Sequence, residues 1–343
     1  MRILFLGETY RADAQTWIKG IEKASGIKLE TKELPKTGGR AARIIKAFGF
    51  LLSLGLSKKQ YDITLAERAT SYGFFSLLVK SKVRIVAQQG ISDAFPETGF
   101  AGWYKRILQR AIYTRADLIH AWGYVMTYAM LESGAAPSRI LVKPKGLNLN
   151  LFRYFSERSE AFITAVVTRS LYDIYRHHEI LEALAILRKK GIIVHCIMIG
   201  DGAEKEKLID QTSSLGLGDQ VHWMGRVPND ELPLQLAKAQ LYIAIPETEG
   251  VSASLFEAMA CGCFPIVTDL PANRAFITSG QNGLLVQVGN PQDLAQKIEL
   301  YTANPSRFSP FLQSNRKFIE KNCNLEVNMK EFYLTYQKLI NQK

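Results

Sequence analysis

The chain has 343 residues, 47% of them hydrophobic, enough for two soluble α/β domains of ordinary size with full cores. Its four cysteines, Cys196, Cys261, Cys263 and Cys323, include no C-x-x-C pair, and most sit in apolar contexts that predict buried, reduced thiols of a cytoplasmic protein. The net charge of +11 resides in the first half: residues 1–160 hold 25 Lys and Arg against 13 Asp and Glu, or +12, whereas residues 161–343 hold 18 against 19, or −1. A half-chain of that sign predicts an acidic partner, an anionic membrane surface or a phosphate-bearing acceptor. No helix-turn-helix, zinc or RNP signature accompanies the charge, so nucleic acid is set aside.

Met1 to Leu6 is a short apolar strand candidate ending at Gly7, without the longer apolar region or small-residue cleavage site of a signal peptide, so no export is expected. Apolar runs then alternate with amphipathic stretches, as in a parallel sheet, at Ile3 to Leu6, Leu29 to Leu34, Ile63 to Ala66, Val83 to Ala87, Leu118 to Ala121 and Ile140 to Val142. Ile44 to Leu56 is apolar apart from Lys46 and Ser53, and Lys36, Arg40, Arg43, Lys58 and Lys59 bracket it. It falls short of the roughly 20 apolar residues that a membrane crossing needs. Its composition fits either docking at a membrane interface or a packed domain helix with solvated basic ends. Trp103-Tyr-Lys-Arg-Ile-Leu-Gln-Arg110 is a second basic and aromatic patch, and His120, inside an apolar strand, reads as a hydrogen-bonded core residue. Periodicity breaks between Lys143 and Glu160, the expected crossover between domains 1–150 and 151–322.

The second half repeats the scheme at Phe162 to Val167, Val194 to Ile199, Val221 to Met224, Leu241 to Ile245, Phe264 to Val267 and Leu284 to Val286. Arg169 closes the first of these strands, where open α/β sheets place ligand-binding groups, and its planar charged fork suits phosphate oxygens. His177 and His178 open a helix with no third metal ligand nearby. The segment from Pro246 to Pro265 passes from strand to helix: the helix starts near Ser252 and stops at Cys261-Gly262. Its first turn offers unpaired N–H groups and a positive dipole end to an anion such as a diphosphate. Glu249 lies in the loop beside that position, and Glu257 lies about a turn and a half into the helix. Two helical stretches, Phe311 to Lys321 and Leu325 to Ile340, close the chain.

Glu249, seven intervening residues and then Glu257-Ala-Met-Ala-Cys-Gly-Cys-Phe-Pro265 together resemble the signature of the retaining glycosyltransferases of family 4. Thr268 to Arg274, Asn282 to Val286, Asp293 to Ile298, Ala116 to Ile119 and Lys145 to Phe152 extend the resemblance, which is strongest over residues 162–300. It implies an α/β protein of GT-B fold, with two facing Rossmann-like domains, parallel sheets and an interdomain cleft. Residues 1–150 would be the acceptor domain and 151–322 the nucleotide-sugar donor domain, and a helix over 323–343 would cross back to the first. The implied catalytic residues are Glu249 and Arg169. Donor binding would fall to Arg176, Gly200, Gly225, Arg226, Val251, Ser252, Ala253, Ser254 and Glu257, with Glu257 on the ribose. Where the family commonly has a second phosphate-binding Lys, this chain has Tyr175 and Arg176, either of which could replace it. On the acceptor side stand Gly7, Glu8 and Gln89; Gln89 takes the family's His position and cannot relay a proton.

No Asp-x-Asp occurs, so no metal and no cofactor is expected. The implied function is a retaining, metal-independent transfer of a sugar, of hexosyltransferase type, from a nucleotide-diphosphate sugar to a lipid-linked or glycan acceptor, peripheral on the inner membrane face. The missing Lys and His motivate an alternative, a catalytically silent sugar-nucleotide-binding or membrane-scaffold protein. A GT-B nucleotide-sugar epimerase is the third reading.

Overall fold

In the computed structural model, which describes residues 1–35, 39–88, 90, 99–158 and 162–343 and only the backbone of 40, 41, 43 and 44, the apolar runs form two parallel sheets. The first sheet holds β1 (Ile3–Leu6), β2 (Glu30–Lys32), β3 (Tyr61–Glu67), β4 (Ser81–Ala87), β5 (Leu118–Ala121) and β6 (Ile140–Val142), in the order β2-β1-β3-β4-β5-β6. The second holds β7 (Ile163–Val167), β8 (Val194–Ile199), β9 (Val221–Gly225), β10 (Leu241–Ala244), β11 (Phe264–Thr268) and β12 (Leu284–Val286), in the order β12-β11-β10-β7-β8-β9. Each strand expected from the apolar pattern forms. The clearest shortening is at β2, an edge strand that pairs only with β1 and stops where β1 stops, at the pair Leu6 and Lys32.

Both faces of each sheet are covered, which is why the strands read as unbroken apolar runs instead of alternating ones. In the second sheet Ala165, Val167, Leu241, Ile243 and Ile245 pack into one cluster, and Val166, Tyr242 and Ala244 into another. Strand order decides where a ligand can sit. Successive connections run one way from β7 to β9 and the other way from β10 to β12, so the carboxyl ends of β7 and β10 flank a topological switch point, the usual crevice of open α/β sheets. In the first sheet the same reversal lies between β1 and β3.

The chain divides into two compact units, Met1–Gly146 with Leu325–Lys343, and Leu147–Asn324. Leu147 and Asn324, the first and last residues of the second unit, pair in a parallel bridge. The helix Leu325–Asn341 packs within the first unit on the helix Ala12–Ser25. There the Trp17 indole N–H donates to the Tyr336 hydroxyl at 3.3 Å, and Asn328 donates its side-chain amide to the Pro144 carbonyl at 3.0 Å. Tyr336 also meets His120 Nε2 at 2.6 Å, and burial holds that imidazole neutral by pushing it down to about 3, so His120 is a core residue. No described helix is long and apolar enough to cross a membrane.

Phe332 is fully buried in this joint, its ring centroid 4.6 Å from His120 and 6.0 Å from Trp122. Phe332→Ala should destabilise the first unit by about 3–5 kcal/mol in denaturant titration, the range for truncating a core aromatic.

Candidate functional site

β10 ends at Ala244, and after a loop through Glu249 the chain enters the helix Ala253–Cys261. Ser252 caps it: its hydroxyl accepts the Leu255 N–H at 3.3 Å, satisfying one orphan donor and leaving the first-turn N–H groups of Ala253 and Ser254 for another acceptor. The helix stops at Gly262, which is left-handed and lies so close to the Tyr154 ring that a Cβ would come within 2.7 Å. β7 ends beside β10 and delivers Arg169 to the same place.

Arg169 is the centre of the site. One guanidinium nitrogen donates to Glu249 Oε2 at 2.6 Å, and another donates to the hydroxyls of Ser252 and Ser254 at 3.2 and 3.1 Å. The Ser254 hydroxyl is 2.8 Å from that of Tyr242, which rises from β10. The Arg169 guanidinium lies over the Tyr175 ring, 4.5 Å from its centroid, a cation–π contact that supports the fork. Burial works against the Arg169 charge, but Glu249, Tyr242 and Tyr175 together more than offset it and hold the group above its ordinary range. Glu249 uses its second oxygen to accept the Gly250 N–H at 3.2 Å.

Gly200 and Gly225 approach this network from β8 and β9. The Gly200 N–H donates to the Gly225 carbonyl at 2.9 Å, and Gly200 presses on the backbone carbonyl of Arg169 so tightly that a Cβ there would collide with it. Arg226 stays at the rim, 81% exposed and 3.5 Å from Asp201. Arg176 is turned away: its Nε donates to Glu179 Oε1 at 2.6 Å, and its backbone is left-handed at φ 53°, an unusual conformation for a residue with a side chain. Ala253 is exposed and Val251 half-buried. Glu257 makes no hydrogen bond to a described residue, and burial raises its carboxyl to about 7, with Arg169 pulling the other way.

Tyr242 is the contributor that pattern reading missed. Its only sequence signal is one hydroxyl-bearing residue inside a buried strand. His177, which the sequence places at a helix start, is buried beside Tyr175 with both ring nitrogens unpartnered among the described residues, and burial, then Arg169, push it down to about 4.

In the first unit, Gly7 and Glu8 follow β1 at the other switch point. The Glu8 N–H donates to Glu67 Oε1 at 3.0 Å, and Glu8 pairs with Arg68 at 2.6 Å and with Arg11 at 3.7 Å. A Cβ on Gly7 would lie 2.5 Å from Glu67 Cγ, so glycine is what lets the two strand ends close. Burial raises the carboxyl of Glu67. Lys145 donates to the Asp13 carbonyl at 3.0 Å and lies over the Trp122 ring, and burial lowers its ammonium to about 8. Glu67, Arg68 and Lys145 join Glu8 only through the fold, although charged residues directly after an apolar strand are a readable hint. Gln89 lies outside the described residues.

Among known proteins, the family model for glycosyl transferases group 1 matches residues 152–323, half of the chain. An uncharacterized glycosyltransferase of Methanocaldococcus jannaschii is 22% identical over 306 residues, covering 83% of this chain and 77% of that protein. The GtfA subunit of the UDP-N-acetylglucosamine–peptide N-acetylglucosaminyltransferase of Streptococcus parasanguinis is 26% identical over 261 residues, covering 72% of this chain; the chain spans 50% of that relative. The crystal structure of Anabaena HepE in complex with UDP and glucose superposes with a TM-score of 0.77 at 16% identity, over 98% of this chain and 99% of that one. The likeness establishes the fold as GT-B, built here from two Rossmann-like units with a six-stranded parallel sheet each.

The raised Glu257 carboxyl has a pH signature. Its folded value near 7 lies above the ordinary 4.5, so its contribution to stability is present in full below about pH 4.5 and is lost as pH rises to 7. Melting curves of Glu257→Gln and the parent should diverge across that window, with the variant gaining relative stability as pH rises. A difference independent of pH would show that the carboxyl is ionised throughout.

Proposed function

Because the chain belongs to the glycosyl transferases group 1 family and is thus a glycosyltransferase, we propose that it works in the retaining manner of family 4, moving a sugar from a nucleotide-diphosphate sugar to a lipid-linked or glycan acceptor. The observation that carries this reading is the buried Arg169 fork aimed at the N-terminus of the helix Ala253–Cys261, with Glu249 bonded to it at 2.6 Å. A diphosphate there would accept hydrogen bonds from Arg169 and from the first-turn N–H groups, so the charge that develops on the leaving phosphate is stabilised by donors already in position.

Glu249 occupies the fork when no donor is bound. A diphosphate takes over the guanidinium, and the released carboxylate turns to the sugar hydroxyls and to the positive charge that grows on the sugar ring. The departing phosphate accepts the acceptor's proton, and the sugar–phosphate bond breaks as the sugar–acceptor bond forms on the same face. Glu257 binds the ribose hydroxyls, and contact with them favours its ionised form. Gly200 and Gly225 form the wall for the base. Arg176, paired with Glu179, contributes less to phosphate binding than the family's Lys would, and Tyr175 supports Arg169 instead. Uridine diphosphate sugars are the first donors to test, since HepE was crystallised with UDP and the streptococcal relative is named for a UDP-sugar. Arginine and backbone N–H groups do the charge neutralisation, so no metal ion takes part.

Glu249→Gln should depress turnover by about a hundredfold or more while leaving nucleotide affinity equal or tighter, because the substitution frees Arg169 for the phosphates. Unchanged turnover with a verified donor would remove Glu249 from catalysis. Transfer activity should also survive exhaustive chelation; complete loss, restored by Mg²⁺ or Mn²⁺, would assign the phosphate charge to an ion.

A further inference from the structure

Two helices of the first unit, Arg40–Gly55 and Phe100–Tyr113, contain Arg40, Arg43, Lys46, Lys105, Arg106 and Arg110 and not one Asp or Glu. Each also turns apolar side chains outward. Ile45, Phe48 and Leu52 fall on one stripe of the first helix, and Phe100, Trp103, Tyr104 and Ile107 on one stripe of the second, at the three- and four-residue spacing of a single helix face. Phe48 is 63% exposed, Phe100 81% and Trp103 55%, whereas Leu108 and Ile112 carry the inward packing of the second helix.

The two helices lie on one side of the first sheet. Phe50 of the first helix meets Phe75 at 6.3 Å between ring centroids, and the second helix packs on Ala69–Gly73 of the same connection. The β2-to-β3 and β4-to-β5 connections also run the same way across the sheet, so right-handed crossovers put both helices on one side of it.

We propose that this side of the first unit is a docking surface for an anionic lipid bilayer, with Phe48, Phe100 and Trp103 entering the interfacial region while Lys105, Arg106 and Arg110 meet the lipid phosphates. The charge pattern selects this occupant. A second copy of the chain would bring the same cations to the same face and be repelled, whereas a sheet of lipid phosphates complements two helices that carry no carboxylate, and aromatic side chains favour the headgroup level. Lys105, Arg106 and Arg110 are exposed and make no ion pair among the described residues. Lys59, by contrast, is already paired with Glu30 at 3.0 Å and is left out of the surface; Lys36 lies outside the described residues. The role of this docking, presenting the acceptor domain to a lipid-linked acceptor, rests on the function proposed above, but the binding itself does not.

The full chain is sedimented with phosphatidylcholine vesicles that contain or lack phosphatidylglycerol, without donor or acceptor, at low and physiological salt. Binding is expected only with phosphatidylglycerol, and it should weaken with salt. Trp103 emission should shift to the blue: Trp17 and Trp122 are already buried, and half-buried Trp223 packs against the core of the second unit. The triple variant Lys105→Gln, Arg106→Gln, Arg110→Gln should bind about tenfold or more weakly, and Phe48→Ser with Trp103→Ser should sediment with the vesicles about tenfold or more weakly as well. Equal binding to both vesicle types, unchanged binding of either variant, or a lipid-free dimer that Phe48→Ser with Trp103→Ser dissolves would overturn the proposal. A thermal shift with a nucleotide sugar on the same samples confirms that the variants fold. Its absence from every sample would count against the transferase reading and leave the vesicle result standing.

Discussion

Burying a guanidinium costs several kcal/mol unless a carboxylate and further acceptors surround it, and Arg169 has them only because β7 and β10 end side by side. Residues from both sides of the switch point therefore converge on one cation: Glu249, Ser252 and Ser254 from the β10 side, and Tyr175 from the β7 side. The close approach of Gly200 to the Arg169 carbonyl belongs to the same constraint, since any side chain there would push the neighbouring strand end away. The arrangement stays close to neutral, and the hydrogen-bond partners of the cation, Glu249, Ser252 and Ser254, are acceptors that an anion can replace.

The departure from the family's usual second cation is absorbed locally. Tyr175 supplies a flat face where a Lys would supply charge, and Arg176, although cationic, spends its hydrogen bonds on Glu179. In the function proposed above, phosphate recognition falls on a single well-oriented fork and on backbone N–H groups. Orientation becomes the controlling quantity, and the aromatic support beneath the fork matters for that reason.

The positive charge of the first half is divided in space as well as in sequence. At the β1 and β3 ends, Glu8, Glu67 and Asp13 face Arg11, Arg68 and Lys145, a nearly balanced cluster suited to neutral hydroxyl groups. Lys105, Arg106 and Arg110, on the helix Phe100–Tyr113, are instead exposed and make no ion pair among the described residues. Opposite charges paired at the strand ends cancel at short range, whereas exposed like charges on a helix add.

The sequence by itself determined the two parallel sheets, because strands covered on both faces must be apolar throughout, and it located Arg169, Glu249 and the Ser252 helix start, because strand ends and caps are local signals. Local pattern could not tell which side chains meet. Tyr242 looks like any other buried strand residue until β10 lies against β7 and its hydroxyl reaches Ser254. Arg176 and Lys59 read as available cations, and only the fold shows them paired with Glu179 and Glu30. The basic helix over residues 40–55 was equally ambiguous. Amphipathic spacing says that a face is apolar, and the packing around it decides whether that face is covered. Such outcomes depend on contacts between residues far apart in the chain, and a linear pattern carries no record of those distances.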